Sequence, residues 1–152
     1  MTGYDRRFRI PHDLTQAVTE RQLAMSRGVF GTIAAGGLLD GMRVVSGNPR
    51  HDAAVRSRRL LAANRSTLGM AEVIAGVVHD AAERNAPGPA PANARRAWAI
   101  FTSDPFPWPD EDIITAITTL ASLTVDGEVT GTLSFTWPDA LTSPVPDIPY
   151  RR

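Results

Sequence analysis

Leu123-Thr124-Val125-Asp126-Gly127-Glu128-Val129, continued by Thr130-Gly131-Thr132-Leu133-Ser134-Phe135-Thr136-Trp137, is the stretch whose reading decides the fold. Asp-Gly between β-branched residues is a strong local signal for a two-residue hairpin turn, because both central positions of such a turn take a positive φ. On the return, Val129, Leu133, Phe135 and Trp137 alternate with Thr130, Thr132, Ser134 and Thr136. A period of two gives one apolar and one hydroxylated face, as in a half-buried strand. Pro138 ends the run. The expected fold class is therefore α+β: an N-terminal helical hairpin or bundle, then a small lobe with a β-hairpin and one helix.

Upstream, Asp110 caps that helix, and Glu111-Asp112 in its first turn suits the helix dipole. Ile113, Ile114, Ile117, Leu120 and Ala121 form its buried side. Asp104-Pro105-Phe106-Pro107-Trp108-Pro109 is an extended loop. Arg96 to Ser103 is apolar on both faces, which predicts a buried strand and fits a short helix less well. Ten of the twelve prolines lie at or beyond Pro87, and Ala86 to Ala92 reads as a stiff connector. Four segments follow: a helical region with a basic N-terminal arm (1–85), a Pro/Ala connector (86–92), an α+β lobe (93–142) and a Pro-rich tail (143–152).

In the helical region, Pro11-His12-Asp13 opens a first helix. Leu14, Val18, Met25, Val29 and Ile33 share one side of it. Gly28, Gly31, Gly36, Gly37 and Gly41 then weaken helix formation, each by about 1 kcal/mol relative to alanine. Either another backbone packs against them or the segment is a loop. A second helix carries Ala54, Leu61 and Leu68, with a break near Asn64 to Thr67. In a third, Met70, Val73, Ile74, Val77, Val78 and Ala81 form the apolar face, and Glu72, Gly76, His79, Asp80 and Glu83 the polar one.

The charges divide unevenly. All 16 basic residues are arginine. Residues 1–84 hold 12 Arg and 8 acids; residues 85–152 hold 4 Arg and 8 acids, so nets of +4 and −4 cancel. Codon bias in a GC-rich genome is the simpler account of the missing lysine. A basic end and an acidic end nevertheless allow copies to associate head to tail. The absence of cysteine excludes disulfides, Fe–S clusters and thiolate zinc sites. The start of the chain has no apolar core behind its charges, and Gly28 to Leu39 is too short to span a bilayer. The expected location is the cytoplasm or a particle assembled there, without secretion by a signal peptide.

Each of the three histidines precedes an aspartate: His12-Asp13, His51-Asp52 and His79-Asp80. Neutral imidazole with carboxylate can hold a divalent cation and activate water. His51, followed after about thirty residues by Val77-Val78-His79-Asp80, resembles the start of an HD-type metal-dependent phosphohydrolase. That resemblance implies a metal site at His51, His79 and Asp80. It covers about 30 residues, and Ala81-Ala82-Glu83 departs from the family's continuation. The simpler reading places His79 on a solvated stripe, paired with Glu83 one turn later. Gly28 to Met42 resembles a viral fusion peptide in its glycine and apolar spacing, but a glycine-faced helix packed on a neighbour explains it more simply.

Arg56, Arg59 and Arg65 lie on or beside the second helix, and Arg6, Arg7 and Arg9 precede the first. They make nucleic acid one class of partner. No serine or threonine sits in a nucleophile elbow, and helix capping explains the only run of carboxylates. No cofactor is implied. Phe106, Trp108, Trp137, Tyr150, Arg151 and Arg152 are the expected interface residues, through aromatic anchors and a basic end. Arms and tails of this kind are commonly held by neighbouring subunits in rings, shells and virions. The expected function is a non-catalytic structural or interaction subunit of a larger homo- or hetero-oligomeric assembly, such as a phage connector or capsid-associated protein. Its partners are copies of itself or other assembly subunits.

Overall fold

The longest helix runs through the segment read above as a hairpin. In this computed structural model, which describes residues 9–130, 133–134 and 136–147, Asp110–Thr130 is one continuous helix that includes Asp126 and Gly127. The described residues contain helices and no strand. The α+β expectation, with its hairpin, is thus overturned: the described chain is all-helical. Ile113, Ala116, Ile117, Leu120 and Thr124 are buried along one stripe. That stripe carries the helical period past Leu123, which packs against the same core. The Thr124 hydroxyl donates to the Leu120 carbonyl at 2.8 Å and so satisfies itself within the helix. Tertiary packing on a helical face outweighs the local β preference of Thr and Val. Of the expected return strand, Leu133 packs on the core from a non-helical stretch. Gly131, Thr132 and Phe135 lie outside the described residues.

Six helices are described: α1 (His12–Gln22), α2 (Val29–Ala34), α3 (Ala53–Ala63), α4 (Arg65–Glu83), α5 (Ala90–Phe101) and α6 (Asp110–Thr130), with a 3₁₀ turn at Asp139–Leu141. α1 packs on α4 and α6, α4 on α5 and α6, and α5 on α6. One core joins them. It takes Leu14 and Val18 from α1, Ile74 and Val78 from α4, Ala90 and Ala94 from α5, and Ile113, Ile117 and Leu120 from α6. The basic and acidic halves therefore interleave in space.

Arg96 to Ser103, expected as a strand, lies mostly within α5. Proline sits in the first turn of that helix, where it costs no backbone hydrogen bond. α5 packs on α4 and α6 with one side only, so part of the apolar surface of the segment stays outside the core: Ile100 is 83% exposed. The connector is correspondingly shorter than expected, since its last three residues are already helical.

Other boundaries follow from the chain chemistry. α1 stops where Ala24 takes φ +53°, so the first helix does not continue to Ile33 as expected. Asn85, φ +50°, lies just past the end of α4, where the Ala86 amide donates to Ala81 at 2.9 Å and the Asn85 amide to Ala82 at 3.2 Å. This is an asparagine-terminated cap, and proline follows at residue 87. The break between the second and third helices falls at Asn64, the first residue of the expected stretch, and Leu68, expected on the second helix, belongs to α4.

Candidate interaction surface

α2 is short, and one side chain holds its start. Glu20 on α1 is fully buried. Its carboxylate accepts the amides of Val29 (2.6 Å) and Phe30 (2.9 Å) and the Gln16 side-chain amide (2.7 Å). These donors satisfy the opening turn of α2. Burial raises the Glu20 pKa, and the hydrogen bonds pull the other way. Gly28 is required here because a Cβ would run into that carboxylate. At Gly31 a Cβ would meet the backbone oxygens of Ser26 and Leu141, and the Gly31 carbonyl accepts the Ser143 amide at 2.9 Å. Gly31 is therefore a place of close backbone approach, whereas Gly36 and Gly41, with positive φ and open space where a Cβ would stand, belong to a loop, so each of the two readings left open by the sequence holds for part of the segment. Asn64, also buried, donates to Thr32 Oγ1 and Ser143 Oγ, both at 2.9 Å. That node ties α2, the α3–α4 junction and the start of the tail together.

The fixed α2 becomes one wall of a cleft of about 820 Å³. α1 contributes His12, Asp13 and Gln16; α4 contributes Glu72 and Ala75; α2 contributes Val29, Phe30 and Ile33. Leu39, Asp40 and Met42, from the loop after α2, close it. Its walls are largely apolar, and no arginine among the described residues lines it. Asp13, Asp40 and Glu72 are exposed and enter no ion pair among the described residues. Uncompensated carboxylates on apolar walls suit a partner group that joins a positive charge to an aliphatic surface.

Beyond Met42 the chemistry inverts. Residues 41–50 are exposed and non-helical. Residues 41–65 carry six arginines and a single acid, Asp52. Of these, Arg43, Arg56, Arg58, Arg59 and Arg65 enter no ion pair among the described residues. Met42, Val44, Val45 and Val55 lie exposed among them, Val45 at 86%. The Leu38 amide donates to Ser57 Oγ at 2.8 Å, which anchors the loop's start to α3.

The expected site residues fall as follows. Arg59 and Arg65 are exposed and Arg56 half-buried, all on this basic edge. Phe106 and Trp108 are half-buried: they pack edge-on to each other and to Trp98, with centroids 5.3–6.1 Å apart. Trp108 Nε1 donates to the Leu23 carbonyl at 2.8 Å. Trp137 lies against Phe30, 5.6 Å between centroids, and donates to Leu141 at 3.1 Å. Tyr150, Arg151 and Arg152 lie outside the described residues.

His79 is 5% exposed, which corrects its placement on a solvated stripe. Its Nε2 donates to the Ile10 carbonyl at 3.0 Å, and Glu83 accepts the Ile10 amide at 2.7 Å. The two α4 side chains thereby satisfy both backbone groups of a buried residue before α1. The His79 ring also stacks on His12 at 4.3 Å. Asp80 is exposed and paired with Arg84 at 2.9 Å, and His51 is exposed in the turn before α3. Among the described residues, no three His, Asp or Glu side chains group so as to hold a metal. No described helix is long and apolar enough to cross a membrane.

The cleft was missed by sequence reading because its carboxylates come from positions 13, 40 and 72, which share no local pattern. Val44-Val45 did carry a signal, being apolar residues between Arg43 and Gly47 with no helical register to bury them. Comparison with known families, with curated proteins and with solved structures returns no match.

Proposed function

We propose that this chain is a non-catalytic interaction subunit of a larger assembly, joined to its neighbours through the basic, apolar edge of residues 38–55 and α3. One observation carries the reading. Of the eight exposed large apolar side chains among the described residues, five (Leu38, Met42, Val44, Val45 and Val55) fall in this one stretch, interleaved with arginines, while Ile100, Phe101 and Val125 lie elsewhere. Scattered single apolar residues need no explanation, whereas a run of them on one edge marks a contact surface. Sedimentation of the full chain at low and high salt tests this. Association at micromolar concentration is expected, weakened by Val45→Asp and Val55→Asp, both at exposed positions. A wild-type chain that stays monomeric throughout rejects it.

The same arginines support a second reading, contact with nucleic-acid phosphates through Arg56, Arg59 and Arg65. Binding to duplex DNA that falls steeply with salt, and falls again on Arg59→Ala and Arg65→Ala, would favour it.

A further inference from the structure

The cleft and the edge adjoin each other. Met42 lines the cleft, and the next residue begins Arg43-Val44-Val45, none of which enters it. Among the described residues, the cleft is lined by no arginine and the segment carries no anion. We propose that two copies of this chain meet across a two-fold axis, each seating its Arg43-Val44-Val45 segment in the other's cleft.

The proposal rests on the assembly reading above and names the partner and the contact. Charge complementarity selects the occupant. Among the described residues, Arg43 enters no ion pair within its own chain, and neither do Asp13, Asp40 and Glu72. The valines would meet Ile33, Leu39 and Met42, which supply an apolar wall for an aliphatic segment. Geometry selects the symmetry. A surface that carries a receptor and, on its rim, the matching segment is self-complementary, so the contact made one way is made again the other way and the pair closes. A polyanion on the arginines would leave the acidic cleft unfilled, and a cationic stranger in the cleft would leave the valines in water. Only a second copy answers both.

A charge-swap mixing experiment tests this, with sedimentation equilibrium as the readout and circular dichroism to verify folding. Both variants alter exposed side chains. Arg43→Glu alone sets a new carboxylate against Glu72 of the other copy, and Glu72→Arg alone sets a new guanidinium against Arg43. Each should weaken self-association by on the order of tenfold or more. An equimolar mixture should restore a dimer, because one junction then pairs the two introduced charges, which are opposite, and the other junction is wild type. Val45→Asp, the apolar control, should weaken association with no rescue from either swap. Either swap variant associating like wild type, a mixture that stays monomeric, or growth beyond the dimer through this contact would overturn the proposal. If the wild type associates while the swaps have no effect, only this contact fails. If the wild type is monomeric, the assembly reading fails with it.

Discussion

Glu20 shows how one residue can organise a wall of the cleft while working against the pH of a neutral solution. Its side chain is fully buried, with backbone and side-chain amides as its partners and no cation among the described residues. Burial dominates, so the folded carboxyl sits above its ordinary value of 4.5. A pKa raised by folding means that the folded state holds the proton more tightly than the unfolded one. The resulting stabilisation is fully present below 4.5 and is lost as pH rises through the raised folded value. Glu20→Gln removes the titration and turns an amide donor toward one of the two backbone N–H groups, a mismatch costing about 1–3 kcal/mol. Urea midpoints of the two proteins compared across weak acid should diverge, with the wild type gaining on the variant as pH falls. A difference that stays flat with pH would show that Glu20 does not titrate in this way.

At the scale of the element, α6 is where local and tertiary preferences part. Asp126-Gly127 asks for a turn, and the buried stripe from Ile113 to Thr124 asks for a helix; the helix continues to Thr130. The two answers differ at one atom. Within a helix, Gly127→Ala should stabilise the chain by about 1 kcal/mol. In a turn needing a positive φ, the added Cβ would destabilise it instead. Thermal and chemical denaturation of that variant read the sign directly. What the sequence made legible was punctuation: Pro11 before α1, the break at Asn64, the apolar face of α4 and the acidic first turn of α6. Each depends on neighbours within one turn. The end of α6 and the helical state of Arg96–Phe101 depend on what packs against them, and no single-chain period reports that. His79 went the same way, since its burial is imposed by the Ile10 backbone crossing α4. In the candidate surface, the arginine cluster that includes Arg59 and Arg65 was legible in the sequence, and both are exposed. The cleft was not, because it exists only once α1, α2 and α4 have met.

For the whole molecule, the chemistry of the sequence and the organisation of the core divide the chain differently. Composition changes sharply at Pro87, which invites a boundary there. The core does not respect it: Leu14 and Val18 of α1 share one cluster with Ala90, Ala94, Ile113, Ile117 and Leu120. Truncating a buried Ile or Leu to alanine costs about 2–5 kcal/mol. Ile113, Ile117 and Leu120 together therefore amount to much of the roughly 5–15 kcal/mol that a domain has in total. A fragment of residues 1–85 loses all three, and with them the partner surface of α1 on α6. Its α4 retains a good helical pattern, but helices in water draw most of their stability from packing. The fragment should show weak helical circular dichroism and no cooperative melt. The full chain should unfold in one transition, coincident by far-ultraviolet circular dichroism and tryptophan fluorescence. The fluorescence comparison is informative because Trp98, Trp108 and Trp137 all lie after the composition boundary, while Trp108 is hydrogen-bonded to Leu23 before it. A fragment that melts cooperatively, or a full chain whose tryptophans report a separate transition, would mean that the two halves fold independently despite the shared core.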